Sequence, residues 1–216
     1  METPSRGPAT GGLYGTVPLA AAMALEAIPQ ALWFFLPAFV ANPSAVLWGG
    51  GTPMDFGRTL RDGQRLFGDG KTWRGLIGGT LSGAVLGLLL FLPFGLLAPV
   101  STWSFGAPAT DFAAAAIAAF FASAALALGA LLGDLVGAFL KRRMGKPRGA
   151  KAPGLDQYDF VVGGLVLSLL VASWSVPRFF SGDGWYGLLA IILITPALHR
   201  GVNIVGFRMG KKHEPW

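Results

Sequence analysis

Long stretches without a charged side chain are what most limit the folds open to this chain. Residues 27–54, 75–110, 112–133, 160–177 and 184–198 contain no Asp, Glu, Lys or Arg. As an α-helix, 112–133 alone reaches about 33 Å, enough to cross a hydrocarbon core of ~30 Å. The first run extends back to Val17 if Glu26 is admitted, and the last extends to Phe207 if His199 and Arg200 are. With 53% hydrophobic and 13% charged residues, the chain cannot clothe a soluble domain in polar groups, and it is too apolar to stay disordered. Backbone exposed to lipid must satisfy its own hydrogen bonds, which selects helices. The expected fold is all-α: a polytopic integral membrane helical bundle. Its five transmembrane helices fall at roughly 17–41, 75–98, 111–140, 159–176 and 185–206. A single domain spans 1–216, without internal repeats, with cytoplasmic loops at about 42–74 and 141–158. Glu26 and the apolar continuation to Phe39 favour a retained first span over a cleaved signal, for which Arg6 is a weak start.

Basic residues orient the bundle. Arg58, Arg61, Arg65, Lys71 and Arg74 lie between the first two spans. Lys141, Arg142, Arg143, Lys146, Arg148 and Lys151 lie between the third and fourth. Arg208, Lys211 and Lys212 follow the fifth. These are 14 of the 17 Lys and Arg, all on one side. The positive-inside rule then places the N-terminus outside and the C-terminus in the cytoplasm. Trp33, Trp73, Trp103, Trp174 and Trp185 are read as interface anchors near helix ends. The net charge of +6 is concentrated on the cytoplasmic face, so nucleic acid is not needed to explain it. The chain has no cysteine, which excludes disulfides and thiolate metal sites.

Glycine is abundant, 32 residues in all. Gly129, Gly133 and Gly137 repeat at four-residue spacing on one helical face, the pattern of close helix packing. Other glycines cluster in the first basic loop, which runs Asp55-Phe56-Gly57, Asp62-Gly63 and Phe67-Gly68-Asp69-Gly70-Lys71-Thr72-Trp73-Arg74-Gly75. Small residues let backbone N–H groups approach a phosphate. Lys71 and Arg74 add charge, Thr72 a hydroxyl, and the helix that follows its positive end. An ordinary basic loop lying on anionic lipid heads has the same composition. The loop is not a Walker motif.

The second loop is more specific. Asp134 sits inside an apolar span, where an acid is costly and points to function. Pro153-Gly154-Leu155-Asp156-Gln157-Tyr158-Asp159 opens the fourth helix, and the three-residue spacing puts Asp156 and Asp159 on one face. Either Asp alone is accounted for by helix capping. With Asp134 at the same membrane depth, three hard carboxylates point to Mg2+, which takes one or two protein carboxylates plus substrate phosphates. The surrounding cations point to a polyphosphate.

At these residues the chain resembles the CDP-diacylglycerol synthase superfamily of membrane CTP-transferases. The family's K-T-W-E-G-x-x-G-G stands here as Lys71-Thr72-Trp73-Arg74-Gly75-Leu76-Ile77-Gly78-Gly79. Its G-D-L-x-x-S-x-x-K-R stands as Gly133-Asp134-Leu135-Val136-Gly137-Ala138-Phe139-Leu140-Lys141-Arg142. Its P-G and D-R-x-D stand as Pro153-Gly154 and Asp156-Gln157-Tyr158-Asp159. Ala138, Pro147 and Gln157 depart from the bacterial pattern. The whole is more similar to the archaeal branch, the CDP-archaeol synthases, from Pro37-Ala38-Phe39-Val40-Ala41-Asn42 through Pro53-Met54-Asp55-Phe56-Gly57 to His199, Asn203 and Pro215-Trp216.

The resemblance implies a cytidylyltransferase that condenses CTP with an unsaturated archaeol phosphate, 2,3-bis-O-geranylgeranylglycerol 1-phosphate, giving CDP-archaeol and pyrophosphate in membrane phospholipid synthesis. It implies Mg2+ held by Asp134, Asp156 and Asp159, with Asp69 as a fourth ligand. Lys71, Arg74, Lys141, Arg142 and Lys146 would hold triphosphate, pyrophosphate or lipid phosphate. Asn42 would read the cytosine edge or hold the loop. Catalysis is expected to rest on Asp134, Asp156, Asp159 and Lys71. The site is expected at the cytoplasmic face of the cell membrane, between aqueous CTP and a lipid whose prenyl chains stay in the bilayer. Phosphatidic acid as the lipid, making the chain a CDP-diacylglycerol synthase, is the alternative. A lipid or ion transporter is disfavoured because the polar residues cluster on one face. A CDP-alcohol phosphotransferase is disfavoured because no paired D-x-x-x-D follows Asp62-Gly63. Glu26 is expected to make a structural hydrogen bond, and His199 to cap or to pair with Asn203, one turn on.

Overall fold

A computed structural model describes residues 19–97, 111–147, 149–175 and 177–211. Arg6, Trp103, Arg148, Lys212, His213, Pro215 and Trp216 lie outside the described residues. The helices are α1 (Leu19–Trp48), α2 (Trp73–Leu97), α3 (Phe112–Arg143), α4 (Leu155–Val171), α5 (Pro177–Phe180) and α6 (Gly184–Arg208). A single 3-10 turn, Ser173–Ser175, separates α4 from α5. Among the described residues there is no strand, only isolated bridges at Pro53–Thr72 and Thr59–Arg65 inside the first loop.

Among the described residues, four segments are long and apolar enough to cross a membrane: Glu26–Trp48, Trp73–Leu96, Phe112–Arg143 and Gly184–Arg208. The helix expected at 159–176 is α4, which starts four residues earlier and is only 17 residues long. It reaches about 25 Å. The helix expected to end at residue 41 continues to Trp48, with Pro29, Pro37 and Pro43 inside it. Asn42-Pro43 reads as a stop because proline removes a backbone donor. In an apolar bundle, neighbouring helices make such a proline tolerable. Asn42 therefore stands on α1, and the first loop is confined to residues 49–72. Trp33 also departs from its expected place at a helix end: it lies within α1, edge-on to Phe94 with ring centroids 5.5 Å apart.

The core lies where α1, α3, α5 and α6 meet. Phe34, Phe35, Leu126, Phe179 and Ile191 are fully buried there. Helix α3 is mounted on α4 backbone against backbone. A Cβ at Gly129 would overlap the carbonyl of Gly163, and one at Gly133 would overlap the carbonyl of Asp159. The expected close packing of the glycine stripe is what the structure contains. On α2, Ile77, Leu81, Val85 and Leu89 remain exposed at four-residue spacing, a face suited to lipid. Glu26 accepts a hydrogen bond from Gln30 Nε2 at 2.7 Å, the structural role expected of it.

Candidate active site

The first loop is folded around one carboxylate. Asp55 is 2% exposed. Its oxygens accept from the backbone N–H of Gly57 at 3.1 Å, Phe67 at 3.1 Å and Gly68 at 2.9 Å. Arg65 closes the fork, Nη2 at 2.6 Å and Nε at 3.2 Å. The Arg65 guanidinium, helped by the three N–H donors, holds the Asp55 carboxyl well below the usual carboxylate range. Gly57 and Gly68 both adopt positive φ, 81° and 99°, so the chain can turn back on the carboxylate. Met54 N–H then donates to the Lys71 carbonyl at 2.8 Å, pinning the end of the loop. Thr72 caps α2 by accepting from Gly75 N–H at 3.1 Å.

This loop delivers Lys71 to α3, where its ammonium pairs with Asp134. A second pair stands beside the first: Lys141 Nζ, from the last turn of α3, lies 2.6 Å from Asp156 Oδ1 in the first turn of α4. The other oxygen of Asp156 accepts from Ala152 N–H at 2.7 Å, which ties the second loop to the helix it opens. Asp159, one turn on, fills the space left by the missing side chain of Gly137 and lies within electrostatic reach of Asp134, Lys71 and Lys141.

Two hollows meet at Lys71. One, of about 400 Å3, runs between the helices and is lined by Asn42, Lys71, Thr72, Asp134, Asp156, His199 and Asn203, together with apolar groups such as Leu36, Phe39, Leu131 and Phe160. The other, of about 170 Å3, is lined by Lys71, Lys141 and Arg142 with Phe67, Gly70 and Ala138. A polar cleft rich in cations thus adjoins a mainly apolar chamber with two carboxylates on its wall.

Of the other expected residues, Arg142 and Asn42 line the hollows, and Arg74, Lys146 and Asp69 do not. Arg142 donates to the Lys146 carbonyl at 2.7 Å, and Lys146 Nζ donates to the Lys151 carbonyl at 2.7 Å, so both brace the second loop. Arg74 is exposed, its side chain beside Gly51. Asp69 is exposed and pairs with Arg65 at 2.9 Å, so it does not join the other carboxylates. Among the described residues no three acidic or imidazole groups converge on one point as a ready-made metal cage. Asn42 Oδ1 is buried in the chamber wall without a hydrogen-bond partner among the described residues.

Residues 24–216 match the CarS-like family, described as CDP-archaeol synthase. The chain belongs to the CDP-archaeol synthase family. The CDP-archaeol synthase of Methanocorpusculum labreanum is 45% identical over 192 residues, covering 84% of this chain and 99% of that protein. The CDP-archaeol synthase of Pyrococcus furiosus is 39% identical, covering 89% of this chain and all of the relative. A solved structure, described as an intramembrane enzyme for archaeal membrane lipid biosynthesis, is 35% identical with a TM-score of 0.58, covering 79% of this chain and 92% of that one. The chain is accordingly a multi-pass membrane protein of the CDP-archaeol synthase family. The role of Asp55, in the Asp55-Phe56-Gly57 segment, is not visible in the sequence. The signal was an acid between glycines ten residues before an arginine, and only the fold joins those groups. His199 and Asn203, with ring nitrogen and amide 3.3 Å apart, form the expected pair, and both also line the chamber.

Proposed function

We propose that this chain is the CTP-dependent cytidylyltransferase that makes CDP-archaeol from CTP and 2,3-bis-O-geranylgeranylglycerol 1-phosphate. The observation that carries the proposal is the junction at Lys71, where a cationic cleft meets a mainly apolar chamber through two lysine–carboxylate pairs. Such a junction matches one substrate that is a polyanion and another that is a phosphate on hydrocarbon.

In the reaction a lipid phosphate oxygen bonds to the α-phosphorus of CTP. The bond from that phosphorus to the oxygen bridging it to the β-phosphate breaks, and pyrophosphate leaves. The nucleophile is already ionised, so no strong base is required. Alignment and charge neutralisation do the work. Lys71, Lys141 and Arg142 hold phosphate oxygens from the cleft, and Arg74 and Lys146 add charge around it. Thr72 fixes the first turn of α2. Asn42 offers a buried acceptor to the exocyclic amine of cytosine. The oxygen-only donors Asp134, Asp156 and Asp159 fit Mg2+, which needs few protein carboxylates when substrate phosphates complete its shell. Bound there, it supplies further neutralisation of the transferring and leaving phosphates. Asp69 is better placed to steady Arg65 than to serve as a fourth ligand.

The proposed topology has five spans, α1, α2, α3, α4 and α6, in one domain. The N-terminus is outside and the site faces the cytoplasm of the cell. Its support is the grouping of basic residues on the two loops and the tail.

Purified protein with labelled CTP, Mg2+ and the ether-lipid phosphate should release pyrophosphate and form a liponucleotide. Absence of product with this lipid and with phosphatidic acid refutes the enzyme, and preference for phosphatidic acid moves it to CDP-diacylglycerol synthesis.

A further inference from the structure

The last turn of α3 carries three cations in a row, and each meets a different partner. Lys141 pairs with Asp156 on α4. Arg142 lines the cationic cleft. Arg143 lines neither of the hollows that meet at Lys71 and is turned to the first loop instead. Its Nη1 pairs with Asp62, and its Nη2 donates to the carbonyls of Arg65 at 2.7 Å and Gln64 at 3.3 Å. The ring of Phe139, one turn back on α3, supports the guanidinium, whose carbon stands 5.3 Å from the ring centre.

An ion pair with the exposed Asp62 would by itself hold little. The two carbonyl bonds change that. A planar guanidinium reaches a carboxylate and two carbonyls at once, which an ammonium on a flexible stem does not reproduce. The gripped segment leads directly to the site. Arg65, whose carbonyl Arg143 holds, forks Asp55 with its own side chain, and Asp55 accepts from Gly68 N–H. The Gly68 carbonyl in turn accepts from Lys71 N–H at 3.2 Å. Gly68 also passes beside Arg142, where an added Cβ would lie 3.3 Å from Nη2 of the guanidinium. The first loop is thus tied to α3 at two levels, by Lys71 at Asp134 and by Arg143, about 14 Å apart along the helix.

We propose that Arg143 is a positioning residue for cytidylyl transfer: it clamps the first loop to the end of α3, and so sets where Lys71 and Arg142 stand around the triphosphate, without itself touching substrate. The proposal rests on the function given above and adds a residue that the reaction scheme leaves out. The loop between α1 and α2 has only two isolated bridges of its own, so its placement depends on what holds it from outside. Of the three adjacent cations, two act at the cleft and the third fixes the opposite wall of that cleft.

Four variants test the clamp. Arg143→Gln should lower kcat about tenfold to 100-fold, the scale of a cation displaced from the reacting phosphates, and leave KM for the lipid phosphate unchanged. Amide hydrogen exchange over residues 60–68 should speed up about tenfold or more, while α2 and α3 keep their rates. Arg143→Lys restores the charge without the fork and should recover only a small part of the lost rate. Asp62→Asn should slow turnover by about threefold, and adding it to Arg143→Gln should cost nothing further, because both act through one contact. Wild-type kcat in Arg143→Gln overturns the clamp, as does unchanged exchange over residues 60–68. Full rescue by Arg143→Lys would leave charge alone as the requirement, and tighter CTP binding by Asp62→Asn would make Arg143 a phosphate ligand; either result also overturns it. A wild-type protein that forms no liponucleotide refutes the function itself, whereas an active wild type with an unaffected Arg143→Gln refutes only the clamp.

Discussion

Gly137 on α3 lies directly against Asp159 on α4, so that a single added methyl would overlap the carboxylate. A glycine that looked like packing in the sequence makes room for an acid of the proposed site. Gly137→Ala should therefore displace Asp159 and lower kcat about 100-fold, the scale of a misplacement near 1 Å. Turnover by purified protein that still elutes as a single species in detergent checks it. Normal turnover would show that Asp159 does not need its present position.

Asp156→Asn and Asp159→Asn keep shape and remove charge. Each should abolish liponucleotide formation while leaving folded protein, because neutral amides neither balance Lys141 nor attract a divalent cation. Isothermal titration with Mg2+ in the presence of CTP should show the same loss independently of turnover. Near-normal rates in both variants would remove the pair from the site.

Asn42→Ala removes the buried, unpartnered acceptor in the chamber wall. KM for CTP should rise about tenfold with little change in kcat, and the preference for CTP over UTP should narrow. An equal loss with both nucleotides would assign Asn42 to holding the end of α1 instead.

The Asp55–Arg65 fork has a pH signature. The folded carboxyl titrates below its unfolded value of about 3.9, so its stabilisation is complete above that value. It fades as pH falls from there towards the folded pKa. At neutral pH Asp55→Asn should unfold more easily, by about 1–3 kcal/mol, the cost of disrupting a buried hydrogen-bonded group. Below pH ~4 the melting curves of the two proteins should converge. A gap that persists undiminished in acid would refute the assignment.

The chain has no cysteine, so single labels report topology cleanly. In intact cells a membrane-impermeant maleimide should modify Ser181→Cys, between α5 and α6, and should reach Arg61→Cys only after lysis. The reverse pattern would invert the bundle.

Four apolar helices were legible because a charge in lipid is costly, so long runs without charge mark the segments suited to lipid. Helix α6 begins and ends within two residues of its expected bounds. The end of α1 was not legible, because Pro43 breaks a helix in water but is carried here by surrounding helices. Type and spacing single out Asp134, Asp156 and Lys71 as candidates, and the fold brings them to one chamber. Asp69 was grouped with them because glycine-flanked acids look alike in a linear chain. Its preference for Arg65 is set by the turn around Asp55, a contact between residues 55 and 65 that no helical periodicity encodes.

The contact of α3 with α4 through bare backbone has a consequence for variation. Where side chains separate two helices, rotamers can absorb a change of size. At Gly129, Gly133 and Gly163 there is no such layer. The distance from Asp134 to Asp159 is set by peptide geometry, which heat and neighbouring mutations alter least. Substitutions can accumulate on the lipid-facing side of α2 without reaching this seam, while one carbon added at the seam moves both acids at once.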